Sequence, residues 1–559
     1  MNIIFIADYF VEHILGGGEL NNEELITMLS AKGHTVKKYQ SQVITPQFLK
    51  ANLNNFFIVS NFVNLSFKTR EILTQKCRYI IYEHDHKYLS KRDPAKYKDF
   101  KAPQTDIVNF YFYKNAQAVL CQSKFHKDII EKNLHLDNII NVGGNLWSLK
   151  SLEKMRSFSE QPKNDKCSIL NSPISHKNTE GAIQYANAKK INYELIASSN
   201  YDQFLESLGK NKKFLFLPKT PETLSRVIVE ARMMGCSVLT NNLVGAASED
   251  WFKIKGLELI DLMTSKRDEI QSIVEKCLQF KRKQDQTPLV SIVTTFHKAD
   301  EYLEDYMKNI TGQDMFEQCE LIILDAASPG NEQVTINKYL KKYSNITYER
   351  FSEKLSITSC LNKGIKLSKG KYLTFGFVDD IKRKDCIEVL YKNIIKNPDI
   401  SLVYGDVFMT EQPHESYESN SSDGKMFEHS RYEFSKENMV KCLPGPMPLW
   451  DRIIHESCGF FDEENCNFAD DWDMWLRAVS MGHKFKKVNE VVGLYFGGGR
   501  SRQDNNLEQQ KEEARIFFKY RNIFGRRFEE YKTYFMQFLT GENNSEQRQE
   551  ISSDSIRVG

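Results

Sequence analysis

YLTFGFVDDI, residues 372–381, is the stretch from which the rest of this chain can be read. Its aromatic and β-branched residues suit a buried strand, and Asp379 and Asp380 stand where that strand would leave the core. In open α/β sheets, ligands bind beyond the carboxyl ends of the strands. Two adjacent carboxylates in a partly dry cleft repel, and one is driven to protonate unless a cation compensates. A divalent ion with oxygen ligands is the natural compensator, and Mg²⁺ commonly shares its shell with substrate phosphates. A solvated Asp-Asp turn satisfies the same residues, so the stretch alone leaves both readings open.

The pattern around it repeats. LVSIVTTF (289–296), ELIILDAASPG (320–330) and LVYGDVFM (402–409) are further strands, giving a single strand series with a long irregular insertion near 411–440. Thr294 with Phe296, Asp325, and Asp379 with Asp380 all fall at strand ends. The first half alternates in the same way. A strand from Ile3 to Ala7 leads into a loop containing GGGE (16–19) and a helical pattern through Leu29. GHTVKKYQ (33–40), FFIVSN (56–61), RYIIYEH (78–84) and AVLCQS (118–123) follow, then SILNSP (168–173), YELIAS (193–198), FLFLP (214–218) and SVLTN (237–241). Such alternation predicts parallel sheets with helices on both faces, in two Rossmann-like lobes at about 1–150 and 165–285. KRKQDQTP (281–288) reads as a linker, and the apolar-poor tail 541–559 as disordered.

Bulk properties exclude several classes. A chain of 559 residues is too long for one core. A formal net charge of +2 gives no support to nucleic-acid binding, and no apolar run approaches a bilayer span. The apolar start MNIIFIADYF lacks a basic flank and reads as a strand, not a signal peptide. Eleven cysteines without a C-x-x-C pair argue against a zinc site or disulfide framework, which suits a cytoplasmic protein.

FADDWDMWLRAV (468–479) sets acids at the start of a helical pattern whose apolar side carries Trp472, Trp475 and Leu476. A core helix with an acidic first turn, favoured by the helix dipole, explains it. So does Asp471 acting as a general base that points into a cleft. Order and spacing add to this. VSIVTTFHKADEYLEDYMKNI, LIILDAASPG, LNKGIKLSKGKYLTFGFVDD, GPMPLWDRIIHESCGFFDEE and ADDWDMWLRAV, in this order over about 288–500, resemble the inverting GT-A glycosyltransferases of family two. The resemblance implies a GT-A domain in which Thr294, Phe296 and Asp325 cradle the nucleotide. It implies that Asp380 binds Mg²⁺ or Mn²⁺, that Asp379 lies towards the ribose and sugar, and that Asp471 deprotonates the acceptor hydroxyl. Phe377 and His297 depart from the family's usual polar residues, and Arg500 stands in YFGGGRSR where relatives complete the phosphate or metal contacts.

KTPETLSRVIVEARMMGCSVLTN (219–241) holds Glu222 in a loop and Glu230 in a helical pattern. With GGGE and Lys177 in SPISHKNTEGA, it resembles the GT-B glycosyltransferases of family four over about 1–280. That resemblance implies a compact GT-B-like pair of lobes. Gly17, Lys177, Arg226 and Glu230 would then contact a nucleotide sugar, Lys177 at the diphosphate and Glu230 at the ribose, with Glu222 at the transferred sugar. Ser172 stands where relatives often have a phosphate-binding arginine, and Arg226 is the candidate replacement. His84 and His86 in YEHDHKYL are either active-site groups or surface histidines. The aromatic and basic stretch 505–540 suits packing on its own domain, with a peripheral membrane contact as the sharper alternative. PGPMPLW (444–450) is either an acceptor-pocket wall or a stiffened core loop, and the 411–440 insertion is placed to border the acceptor.

The expected protein is thus a two-module glycosyltransferase using nucleotide-sugar donors and a glycan, lipid-linked or protein-linked acceptor. The rival readings are a catalytic second half beside a binding module, a metal-dependent nucleotidyl transferase, and a scaffold.

Overall fold

The structure, a computed structural model, describes residues 1–197, 200–280, 287–498 and 507–540. The first six of the linker residues, Arg500 and the tail 541–559 lie outside them. The chain divides into two compact units, Met1–Ala102 with Asp106–Gln284, and Pro103–Thr105 with Asp285–Gly559.

In the first unit, strand β1 (Asn2–Ala7) lies inside a parallel sheet with β2 (Thr35–Gln40), β3 (Phe56–Val59), β4 (Arg78–Tyr82), β5 (Val119–Cys121) and β6 (Ile139–Asn141), in the order β2-β1-β3-β4-β5-β6. Ile3, Phe5, Phe56, Ile58 and Ile80 fill its core, as continuous apolar runs in a sheet covered on both faces require. The strand order reverses about β1, which opens a crevice at the carboxyl ends of β1 and β3. Asp8 ties that edge together by accepting the N–H groups of Val63 (2.9 Å) and Asn64 (3.0 Å). Gly16–Glu19 is not a free loop. The helix Gly17–Ala31 begins within it, after Gly16 in extended backbone as its N-cap.

A second parallel sheet joins β7 (Asn164–Leu170), β8 (Tyr193–Ile196), β9 (Asn211–Phe216) and β10 (Ser237–Thr240) in the order β10-β9-β7-β8. The expected lobe 165–285 is not self-contained. In the 23-residue helix Leu257–Gln279, Leu259, Ile260 and Met263 pack on the second core, whereas Ile270, Val274 and Cys277 pack on the first. A helix of that length is about 35 Å long and outreaches one small lobe.

Among the described residues, the second unit is built on eight strands: β11 (Val290–Phe296), β12 (Cys319–Asp325), β13 (Ile346–Arg350), β14 (Tyr372–Phe375), β15 (Ile381–Lys382), β16 (Leu402–Thr410), β17 (Leu449–Asp451) and β18 (Phe485–Phe496). Their order is β13-β12-β11-β14-β17-β16-β18-β15. The first four run parallel, β17 is antiparallel to both β14 and β16, and β15 is antiparallel to β18. The single series expected from the sequence is therefore a mixed sheet. The short strands β15 and β17 carry too few residues to show a period of two. PGPMPLW leads into β17, where Leu449 and Trp450 are fully buried, so its end belongs to the core. The 505–540 stretch forms the helices Leu507–Lys519 and Arg527–Thr540. Phe517 stacks on Phe535 (4.4 Å between centroids) and Phe524 on Trp472 (6.4 Å), which commits these aromatics to their own domain. Among the described residues, no helix is long and apolar enough to cross a membrane.

Candidate active site

Strand β14 ends at Phe375, and the chain turns through Gly376 to Asp380 before β15 begins. A side chain at Gly376 would run into the Tyr306 hydroxyl and stand 2.7 Å from Thr294 Oγ1, so only glycine lets the turn pass so close to β11. Asp380 is 6% exposed, and the Phe496 N–H at the end of β18 donates to its Oδ1 (3.4 Å). Burial, and then the neighbouring Asp379 charge, hold its carboxyl well above the usual range, with the Lys382 cation opposing them. Burial also raises half-buried Asp379. Phe377 stacks on Phe375 (5.1 Å) and presents a ring, not a ligand. Gly497, which follows Phe496 in the chain, lines a cavity of about 700 Å³ with Thr410, Glu411 and Ser421–Lys425. Part of the irregular insertion therefore stands beside the strand end that holds Asp380.

The other two strand ends are more closed than their sequence suggested. The Thr294 side chain is buried, with its hydroxyl against that of Tyr306, and Phe296 belongs to the core. Asp325 is 1% exposed; its Oδ1 accepts the Ser328 N–H (2.7 Å) and its Oδ2 the Tyr348 hydroxyl (2.8 Å). These residues brace the strand ends from within, so nucleotide contact by their side chains would need them to leave those partners.

Asp471 lies in the first turn of the helix Asp470–Ser480, whose apolar side carries buried Trp472, Trp475 and Leu476. Its Oδ1 accepts the Trp472 N–H (2.7 Å), and the Cys442 thiol donates to its Oδ2 (3.3 Å). Burial raises the carboxyl and the thiol bond lowers it. Asp470 completes a pair: its Oδ1 accepts the Asp471 N–H (3.0 Å) and its Oδ2 the Thr358 hydroxyl (2.8 Å). Burial and the Asp471 charge push Asp470 up to about 7. The helix has no side-chain cap of its own. Glu512 caps it instead, its carboxylate accepting the N–H groups of Asn467 (2.9 Å), Phe468 (3.0 Å) and Ala469 (2.7 Å). Sequence reading missed Cys442, Glu512 and Thr358. Only Asp470, beside Asp471 in the chain, gave a signal.

In the first unit, the structure brings Gly17 to Arg226. A side chain on Gly17 would touch Arg226 Cδ at 3.4 Å. Arg226 is not a free phosphate clamp: its Nε pairs with Glu230 (3.0 Å), its Nη1 donates to the Leu146 carbonyl (2.6 Å), and it stacks over Trp147 (4.5 Å). Glu230 is 2% exposed, and Trp147 Nε1 (2.9 Å) and the Tyr201 hydroxyl (2.6 Å) also donate to its Oε1. Lys177 grips both oxygens of Glu222 (2.8 and 3.0 Å). Neither histidine of YEHDHKYL is a surface group. His86 is buried against Tyr88, and His84 lies between Asn22 and Gln122; burial pulls each down to about 3.

Comparison with known proteins fits this picture. Residues 291–455 match the family described as glycosyl transferase family 2. The chain is similar to the uncharacterized glycosyltransferase MJ1057 of Methanocaldococcus jannaschii, at 23% identity over 225 residues covering 40% of this chain and 76% of the relative. It is similar also to the minor teichoic acid biosynthesis protein GgaB of Bacillus subtilis, at 23% identity over 40% of this chain but only 24% of that protein. Among solved structures, S. aureus TarS 1-349 in complex with UDP shares 13% identity over 47% of this chain and 78% of that one, with a TM-score of 0.36. Residues 291–455 are thus similar to glycosyl transferase family 2, and together with the glycosyltransferase relatives this match marks the chain as a glycosyltransferase.

Proposed function

We propose that the C-terminal domain moves a sugar from a nucleotide-sugar donor to a hydroxyl of a glycan or glycoconjugate acceptor, inverting the anomeric carbon with the help of a divalent metal. One observation supports this most. Asp380, buried with Asp379 beside it, is a carboxylate site whose charged form needs a cation. Among the described residues, no three His, Cys, Asp or Glu side chains gather into a metal cage. The fit is to a hard ion such as Mg²⁺ or Mn²⁺ that takes most of its shell from diphosphate and water, with Asp380 as its protein ligand and Asp379 towards the ribose. When bound, that ion neutralises charge on the departing nucleoside diphosphate.

The chain's own residues do the rest. Asp471 accepts the proton of the attacking acceptor hydroxyl, a role that burial favours by raising its basicity. The Trp472 N–H and the helix start hold its carboxylate in place. The ends of β11 and β12 would form the floor on which a nucleotide rests, with Asp325 bracing that floor from within. The similarity to a teichoic acid biosynthesis protein supports a polysaccharide-type acceptor.

The test is a screen of UDP-glucose, UDP-N-acetylglucosamine and GDP-mannose for diphosphate release with Mg²⁺ or Mn²⁺. Asp380→Ala should abolish metal-dependent donor binding. Asp471→Asn should keep donor binding and lose turnover. Full turnover by Asp471→Asn would favour nucleotidyl transfer instead, and no metal-dependent nucleotide binding at all would favour a scaffold.

A second reading concerns the N-terminal unit. The burial of Glu230 and the Lys177–Glu222 pair favour a unit that binds a sugar or partner without a second, retaining transfer. Glu222→Gln and Lys177→Ala in the full chain decide it: loss of a distinct, Asp471-independent turnover would restore the two-enzyme reading.

A further inference from the structure

The carboxylate of Asp471 is held from two sides. Oδ1 takes the Trp472 N–H at 2.7 Å and Oδ2 takes the Cys442 thiol at 3.3 Å, so neither oxygen can turn without losing a partner. Each oxygen keeps a second lone pair for a substrate proton. Cys442 stands apart from the other cysteines: ten of the eleven are fully buried, and it alone is half-buried. Burial and the Asp471 charge push its thiol well up, which keeps the proton on sulfur and makes it the donor. The remaining groups that face Asp471 are acidic. Asp470 lies on its own helix, and Glu512 and Glu513 come from the helix Leu507–Lys519. The thiol is thus a side-chain donor set against burial and the Glu512 charge, which raise Asp471, while Asp471 in turn raises Asp470 and Glu513.

Resting on the assignment of Asp471 as the acceptor base, we propose that Cys442 is its positioning residue: the thiol fixes the carboxylate's orientation and restrains its basicity against the surrounding acids. The same contact opposes the rise in basicity that burial and Glu512 produce.

The test is the pH profile of kcat and kcat/KM, measured with the nucleotide sugar that gives turnover among UDP-glucose, UDP-N-acetylglucosamine and GDP-mannose. Cys442→Ala removes the donor, and Cys442→Val removes it while keeping the volume. Both should move the acid limb up by roughly half to one pH unit, so that activity falls about three- to tenfold on that limb while donor KM stays unchanged. Cys442→Ser, which retains a donor, should lie closer to wild type. An acid limb at the wild-type position in the variants without the donor overturns the proposal. A loss that is uniform across pH and accompanied by a raised KM also overturns it, because that marks packing alone. Turnover surviving in Asp471→Asn is a separate result: it removes the base assignment, and the proposal with it.

Discussion

Glu512 offers a sharp test of how the proposed base is held. It is 2% exposed, and it closes the start of a helix whose own N-cap residue, Ala469, has no side-chain oxygen to offer. Replacing it with alanine strands three N–H donors. Those of Asn467 and Phe468 lie in exposed residues and can turn to water, whereas Ala469 is buried. A buried donor that loses a charged acceptor costs about 1.5–3 kcal/mol, and the two that can rehydrate cost about 0.5 kcal/mol each. Relief of repulsion with Asp470 and Asp471 returns part of this, leaving roughly 2–3 kcal/mol of local stability lost in Glu512→Ala. Hydrogen exchange over residues 464–472 reads it directly, since each 1.4 kcal/mol of opening free energy is about tenfold in protection. The expected loss is about 30- to 100-fold for Glu512→Ala. It is about tenfold for Glu512→Gln, whose single carbonyl can still accept two of the three donors. The kcat should fall in step while donor KM holds. Protection within threefold of wild type in Glu512→Ala would refute the capping role.

Other outcomes follow from the same geometry. Asp471→Asn should lose about 10²- to 10⁴-fold in turnover with donor affinity intact, read by steady-state kinetics and calorimetry. Asp380→Ala should lose Mg²⁺- or Mn²⁺-dependent nucleotide binding, and chelation should reproduce that loss in the wild type. Asp470 rises from an ordinary 3.8 to about 7 in the folded chain, so between those values the folded state keeps a proton that the unfolded state has released. Its contribution to stability therefore falls as pH rises from about 4 to about 7. Asp470→Asn should stabilise the chain by about 1–2 kcal/mol at pH 7.5 and by nothing below pH 4; equal denaturation midpoints at both pH values would contradict this.

Much of the fold was legible because it rests on local pattern. The apolar runs of β1, β3, β11 and β12 and the turns after them announce parallel α/β sheets from any window of the chain. The order of the five C-terminal segments likewise marked Asp380 and Asp471 as a metal ligand and a base, roles that are proposals still to be tested. What one-dimensional reading could not supply was side-chain commitment. Glu230, Arg226 and Asp325 look like ligand contacts in sequence, yet tertiary packing gives each several internal partners. The reverse holds for Glu512 and Cys442. Each is an ordinary residue in its own segment, and folding carries it across 43 and 29 positions to the Asp470–Ser480 helix start. The sequence by itself determined where the long apolar strands form and where charges leave the core, since those depend on neighbours along the chain, whereas the short β15 and β17 did not show in it. The tertiary structure alone decided which charges are already satisfied, because hydrogen bonds between distant segments leave no period in the sequence to read.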